Sequence, residues 1–139
     1  RDLVRSRGLG DVYKRQLPPL LLGVMIYVWQ LPHFWFLALQ CREQYRLAGI
    51  PVLPLVHGEK STGILIRLSS LALVPCSTAF CASIGRPPLV TALHTGLALL
   101  FALLCHLLLS RKGDYRRGFV ASLAYLALTL ATVIAAAFP

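Results

Sequence analysis

The stretch Leu17-Pro18-Pro19-Leu20-Leu21-Leu22-Gly23-Val24-Met25-Ile26-Tyr27-Val28-Trp29-Gln30-Leu31-Pro32-His33-Phe34 decides the fold. From Leu17 to Val28 it is uncharged and mostly aliphatic, and the apolar run continues to residue 40. A helix needs about 20 such residues to cross a bilayer. Gln30, Pro32 and His33 stand inside that run. Polar groups at such depth are expensive in lipid and by default face a protein interior or a wet cavity, which makes them functional candidates.

The rest of the chain has the same character. Its 139 residues are 57% hydrophobic and 14% charged, with a mean hydropathy of +0.69. A soluble domain carries about 25% charged residues, so an ordinary globule is excluded. Three further apolar runs occupy 64–84, 89–109 and 119–138, each close to a spanning length. Backbone in lipid must satisfy its own hydrogen bonds, and the alternation of a membrane barrel is absent, so these runs are helices. The expected fold is an all-α polytopic membrane helix bundle with four transmembrane helices, about 17–40, 64–84, 89–109 and 119–138.

The charge balance of +9 would suggest nucleic acid in a soluble protein. Here the basic residues lie between apolar runs, which points to topology and to no nucleic acid. Arg42, Arg46 and Lys60, with nearby Arg67, mark the loop 41–63. Arg111, Lys112, Arg116 and Arg117 mark the loop 110–118, while the Gly85-Arg86-Pro87-Pro88 turn has one Arg. Loops 41–63 and 110–118 are therefore expected in the cytoplasm and the C-terminus outside. Residues 1–16 carry Arg1, Arg5, Arg7, Lys14 and Arg15 and break this pattern. They lack the apolar core of a signal peptide and resemble translated adaptor sequence, so domain reasoning is confined to 17–139; the alternative is a native cytoplasmic loop. Without an initiator Met, the chain is expected to start within a longer protein. Cys41, Cys76, Cys81 and Cys105 form no Cys-x-x-Cys pair, so neither a zinc site nor a disulfide framework is read.

Chemistry concentrates between Trp29 and Arg67. Pro32 removes one helical hydrogen bond and frees a carbonyl near Val28, for which Gln30 or His33 could supply a partner. Arg42, Tyr45 and Arg46 fall on one helical face where the first span reaches the surface. Arg presents a planar fork of donors suited to phosphate oxygens, and Glu43 could hold a divalent cation that bridges to phosphate. The bland alternative is an interfacial belt of snorkelling side chains. Residues 50–60 contain Pro51 and Pro54 and are expected to be an extended strip beside the charged cluster. Lys60 and Arg67 are candidate phosphate contacts or topology charges. His94 and His106 lie about three turns apart and cannot share one metal; they read as polar packing against neighbouring helices. Cys76 and Cys81 read as core.

Trp29-Gln30-Leu31-Pro32-His33-Phe34, Arg42-Glu43-Gln44-Tyr45 and Ala48-Gly49-Ile50-Pro51-Val52-Leu53-Pro54 together resemble the protoheme IX farnesyltransferase (haem O synthase) group of the UbiA superfamily of membrane prenyltransferases. The resemblance covers roughly residues 17–67 by motif and the later helices by hydropathy. It implies a nine-helix bundle around a cavity in the inner (plasma) membrane, of which this chain supplies the last four helices. The partners it implies are farnesyl diphosphate, haem b, the lipid bilayer and the missing N-terminal helices of the same protein. The implied reaction moves the farnesyl group onto a haem b vinyl group, and the implied cofactor is Mg²⁺. On this resemblance Arg42, Glu43 and Tyr45 are the catalytic residues, with Glu43 the metal ligand. Trp29, Gln30, His33, Phe34, Arg46, Lys60 and Arg67 are the substrate-binding residues. Family members often carry Asp where this chain has Gln44, and the family's first Asp-rich motif has no counterpart here. As a piece, the chain is expected to be inactive alone. Two other readings stand beside this one: a prenyltransferase acting on a quinone precursor, and a small four-helix membrane subunit without catalysis.

Overall fold

The computed structural model describes residues 2–110 and 114–135, with side chains described from residue 16 onward. Arg111, Lys112 and the expected end of the last helix near 138 lie outside the described residues, as do the side chains of the basic residues among 1–15.

Six helices follow one another: α1 (Asp2–Gln40), α2 (Arg42–Leu47), α3 (Leu53–Val56), α4 (Gly58–Ser83), α5 (Pro88–Ser110) and α6 (Tyr115–Ala135). Among the described residues there is no strand. Four segments are long and apolar enough to cross a membrane: Gln16–Gln40, Gly58–Ser83, Pro88–Ser110 and Tyr115–Ala135. The fold class is therefore the expected all-α bundle. Its contacts run α1 to α4, α4 to α5, α5 to α6 and α6 back to α1, so the long helices close a ring.

Each long helix turns one narrow stripe inward. On α1 the stripe is Met25, Trp29, Pro32, Phe36 and Leu39. On α4 it is Thr62, Ile66, Ser69, Ser70, Leu73, Ser77 and Phe80, on α5 His94, Ala98, Phe101 and Cys105, and on α6 Gly118, Ser122, Tyr125 and Thr129. The spacings of three and four are those of one helical face. Small and hydroxyl residues recur in the stripes of α4, α5 and α6, while Leu68, Leu71, Leu99, Leu103 and Leu128 point outward. That distribution suits lipid: tails are as apolar as Leu, so helices associate through close packing and polar bonds. Thr78 bonds Thr95 across α4 and α5 at 2.9 Å. His94 bonds Thr132 across α5 and α6 at 2.6 Å. Buried Ser69 satisfies its hydroxyl on the preceding turn, at the Leu65 carbonyl.

Two expectations need correction. The second span starts at Gly58, not 64, so Lys60 lies within α4. Residues 50–60 are not one extended strip, because Leu53–Val56 forms a helical turn. Pro54 lies in its first turn, where a missing N–H costs no bond. Only residues 50–52 lack helix or turn structure there. Gly49, at φ 69°, reverses the chain after α2, and its N–H bonds the Arg46 carbonyl; few side chains tolerate that left-handed conformation. The first helix extends back to Asp2, well before residue 17, with its apolar span beginning at Gln16.

Candidate functional site

Two groups of predicted residues sit along α1 and its continuation. His33 and Arg42 are nine residues apart, roughly 13 Å along a helix axis.

The deeper group forms where α1 crosses α6. Trp29 and His33 are one turn apart and share the inner side of α1. Indole Nε1 of Trp29 donates to the Ser122 carbonyl at 2.8 Å. Imidazole Nδ1 of His33 lies 2.7 Å from the Ser122 hydroxyl. That hydroxyl also donates to the Phe119 carbonyl at 2.6 Å. The His33 ring stacks on Trp29 at 4.7 Å and on Phe119 at 4.6 Å. Phe34 meets it edge-on at 5.5 Å but is itself 56% exposed. Gln30 is also exposed and carries no side-chain bond among the described residues. The structure therefore joins Trp29 and His33 and turns Gln30 and Phe34 to the outer face of α1. Neither Gln30 nor His33 is seen to supply the partner expected for the carbonyl near Val28: Gln30 makes no side-chain bond among the described residues, and the bond of His33 goes to Ser122. Close approach is needed here, because a Cβ at Gly118 would collide with the Phe36 ring.

The second group lies at the bundle end that carries α2. Arg42 Nη1 pairs with Glu59 Oε1 at 2.5 Å, and Tyr115 OH donates to Glu59 Oε2 at 3.4 Å. Glu59, Lys60, Arg67, Leu109 and Tyr115 help to line a groove of ≈ 550 Å³. Arg67 Nε is enclosed there with no hydrogen-bond partner among the described residues. Lys60 and Arg67 thus line one groove, and Arg42 is tied to its edge through Glu59. Glu43 instead faces Arg46, which donates to its carboxylate through Nε at 3.0 Å and also through Nη2. That hydrogen bond, aided by the charges of Arg46 and Arg42, holds the Glu43 carboxyl below its ordinary range and raises the guanidinium of Arg46. Tyr45 is half-buried, and its carbonyl accepts from Ile50 N–H at 3.0 Å.

Glu43 does not make a cation site by itself. Among the described residues no three His, Cys, Asp or Glu side chains gather to hold a metal ion. The two loop carboxylates, Glu43 and Glu59, are each engaged by an arginine. A divalent cation here would need ligands from elsewhere.

Four contributors escaped the sequence reading: Ser122 and Phe119 at the deeper group, and Glu59 and Tyr115 at the other. Ser122 reads as a small packing residue, and its bond to His33 spans 89 positions, beyond any local spacing signal.

The chain resembles known proteins along most of its length. The UbiA prenyltransferase family profile matches residues 8–126. A protoheme IX farnesyltransferase of Geotalea uraniireducens is 40% identical over 118 residues, which are 84% of this chain and 45% of that protein. Protoheme IX farnesyltransferase 1 of Pseudomonas putida is 43% identical over 83 residues, 60% of this chain and 28% of the relative. One from Bordetella avium is 52% identical over 52 residues, 37% and 17%. The chain spans less than half the length of these curated relatives. No solved structure matches it. On the profile match and the bundle together, the chain belongs to the UbiA prenyltransferase family.

Proposed function

We propose that this chain is the C-terminal part of a membrane enzyme that transfers a farnesyl group from farnesyl diphosphate to a vinyl group of haem b, with diphosphate leaving and water capturing the resulting cation with loss of a proton, yielding haem O. The single observation that carries the reading is the name shared by its relatives, protoheme IX farnesyltransferase, over the segment that holds Trp29, His33 and Arg42. The geometry supports it. Loss of diphosphate from an allylic carbon builds negative charge on phosphate oxygens and positive charge on the prenyl chain. Arg42, Lys60 and Arg67 around the groove can receive the first. Arg42 would exchange Glu59 for phosphate. Arg46 lies in the same loop and would contact the diphosphate if it released Glu43. Faces of Trp29, Phe34 and Tyr45 can stabilise the second, and Gln30 and His33 would contact the haem. Glu43 is the proposed carboxylate for Mg²⁺, but the residues of this chain do not complete such a site, so no step is assigned to the metal.

The remaining length of the relatives would supply the other helices. The enzyme would lie in the inner (plasma) membrane, with loops 41–63 and 110–118 cytoplasmic and the C-terminus outside.

The test is incubation of the full-length enzyme with farnesyl diphosphate and either haem b or an aromatic quinone precursor. Mass spectrometry should find the farnesylated porphyrin only. Prenylation of the quinone precursor alone overturns the reading. Arg42→Ala should raise the farnesyl diphosphate KM; an unchanged KM removes Arg42 from the diphosphate site.

A further inference from the structure

Ser122 has one hydroxyl proton and two oxygen lone pairs. The proton goes to the Phe119 carbonyl at 2.6 Å. The 2.7 Å contact to His33 must then run the other way, from imidazole Nδ1–H to the Ser122 oxygen. A neutral imidazole has one N–H, so its Nε2 is left with a lone pair. Nε2 has no partner among the described residues and is not one of the enclosed polar atoms. The ring cannot easily turn away from this pose. It stacks on Trp29 and Phe119, and Trp29 is itself held to the Ser122 carbonyl.

An imidazole whose second nitrogen is anchored to an oxygen, with the first open, is the arrangement of a metal-ligating histidine. An ordinary protein-bound ion would need more ligands, and no cluster of three His, Cys, Asp or Glu exists among the described residues. A metal that brings its own equatorial ligands needs only one. The chain neighbours of His33, Gln30 and Phe34, are exposed. We infer that His33 Nε2 is an axial ligand to the iron of the porphyrin substrate, with Ser122 as its orienting partner. This rests on the reading that the whole enzyme takes haem b. Ligation would position the macrocycle while leaving its vinyl edge free to react.

The experiment uses full-length enzyme in detergent without farnesyl diphosphate. Ferric haem b and metal-free protoporphyrin IX are titrated separately and followed by absorption spectra. The wild type should show a histidine-ligated haem spectrum and prefer haem over metal-free porphyrin by at least about tenfold. His33→Ala should lose that spectrum and the preference yet still bind protoporphyrin, and added imidazole should restore the spectrum. Ser122→Ala keeps the ligand but loses its anchor, and should weaken haem about tenfold without altering protoporphyrin. It supplies a second readout if His33→Ala fails to fold. A wild type that farnesylates haem while its spectrum shows no histidine ligation overturns this inference and leaves the proposed function standing. So does a ligated spectrum that survives in His33→Ala. An enzyme that neither binds nor farnesylates haem overturns both.

Discussion

Gly118 shows what one missing atom does at the crossing that holds His33. The Phe36 ring occupies the space where its Cβ would lie, and Phe36 is fully buried. Gly118→Ala should therefore overpack the α1–α6 contact and destabilise the protein by about 1–3 kcal/mol. Thermal unfolding of the full-length protein in detergent checks this, and Phe36→Leu in the same chain should recover part of the loss. Glu43 behaves in the opposite way. It is fully exposed, and its carboxyl is held below the ordinary range first by the hydrogen bond from Arg46. A depressed folded-state value means the pair contributes at any pH above the unfolded carboxylate value. The contribution is lost only as pH falls through the lower, folded value. An exposed ion pair adds little to stability in any case. Glu43→Gln should thus leave the unfolding temperature near neutral pH unchanged. Any loss of activity in that variant then reports a role in chemistry, and an equal loss of stability would refute the separation.

At the scale of the helix, packing is carried by polar bonds between neighbours. His94 on α5 and Thr132 on α6 are joined at 2.6 Å, and His94 is almost fully buried. A double-mutant cycle of His94→Ala and Thr132→Val should return a coupling energy of about 0.6 kcal/mol, the average for such bonds within membranes. A coupling near zero would mean that His94 is merely packed there. The spans themselves were legible in the sequence because hydropathy and charge-free length are local properties. Polar packing of His94 was legible for the same reason: a histidine amid leucines must find a partner. The loop was not. Pro51 and Pro54 suggested an extended strip, yet Pro54 sits in the first turn of α3, the one helical location its ring fits well. The partners of Trp29 and His33 were not legible either. Ser122 and Phe119 become neighbours only through the ring closure of α1 on α6, which no spacing within one helix records. Arg42, Lys60 and Arg67 were each visible as cations, but the groove beside them is closed by Leu109 of α5 and Tyr115 of α6, which only the bundle brings to α4.

Across the connections between the spans, charge is segregated between the two ends. Arg42, Arg46 and Lys60 cluster at the end that carries α2, α3 and the start of α4, whereas the turn between α4 and α5 has only Arg86. Basic residues resist translocation, so the α2 end is proposed to face the cytoplasm. The native cysteines leave this open to a labelling test, since Cys81 and Cys105 are buried and Cys41 and Cys76 half-buried. Leu47 on α2 and Leu89 at the start of α5 are 77% and 71% exposed and stand at opposite ends of the bundle. In full-length enzyme, Leu47→Cys should react with a membrane-impermeant maleimide in inverted vesicles and resist it in intact cells whose outer surface is accessible. Leu89→Cys should show the reverse. Labelling of both from one side would contradict the spans themselves, and a swapped pattern would overturn the orientation. The outcome also bears on the chemistry. The groove that Lys60 and Arg67 help to line lies beside Glu59, the partner of Arg42, so under the proposed reaction a cytoplasmic α2 end would place the diphosphate on the cytoplasmic side.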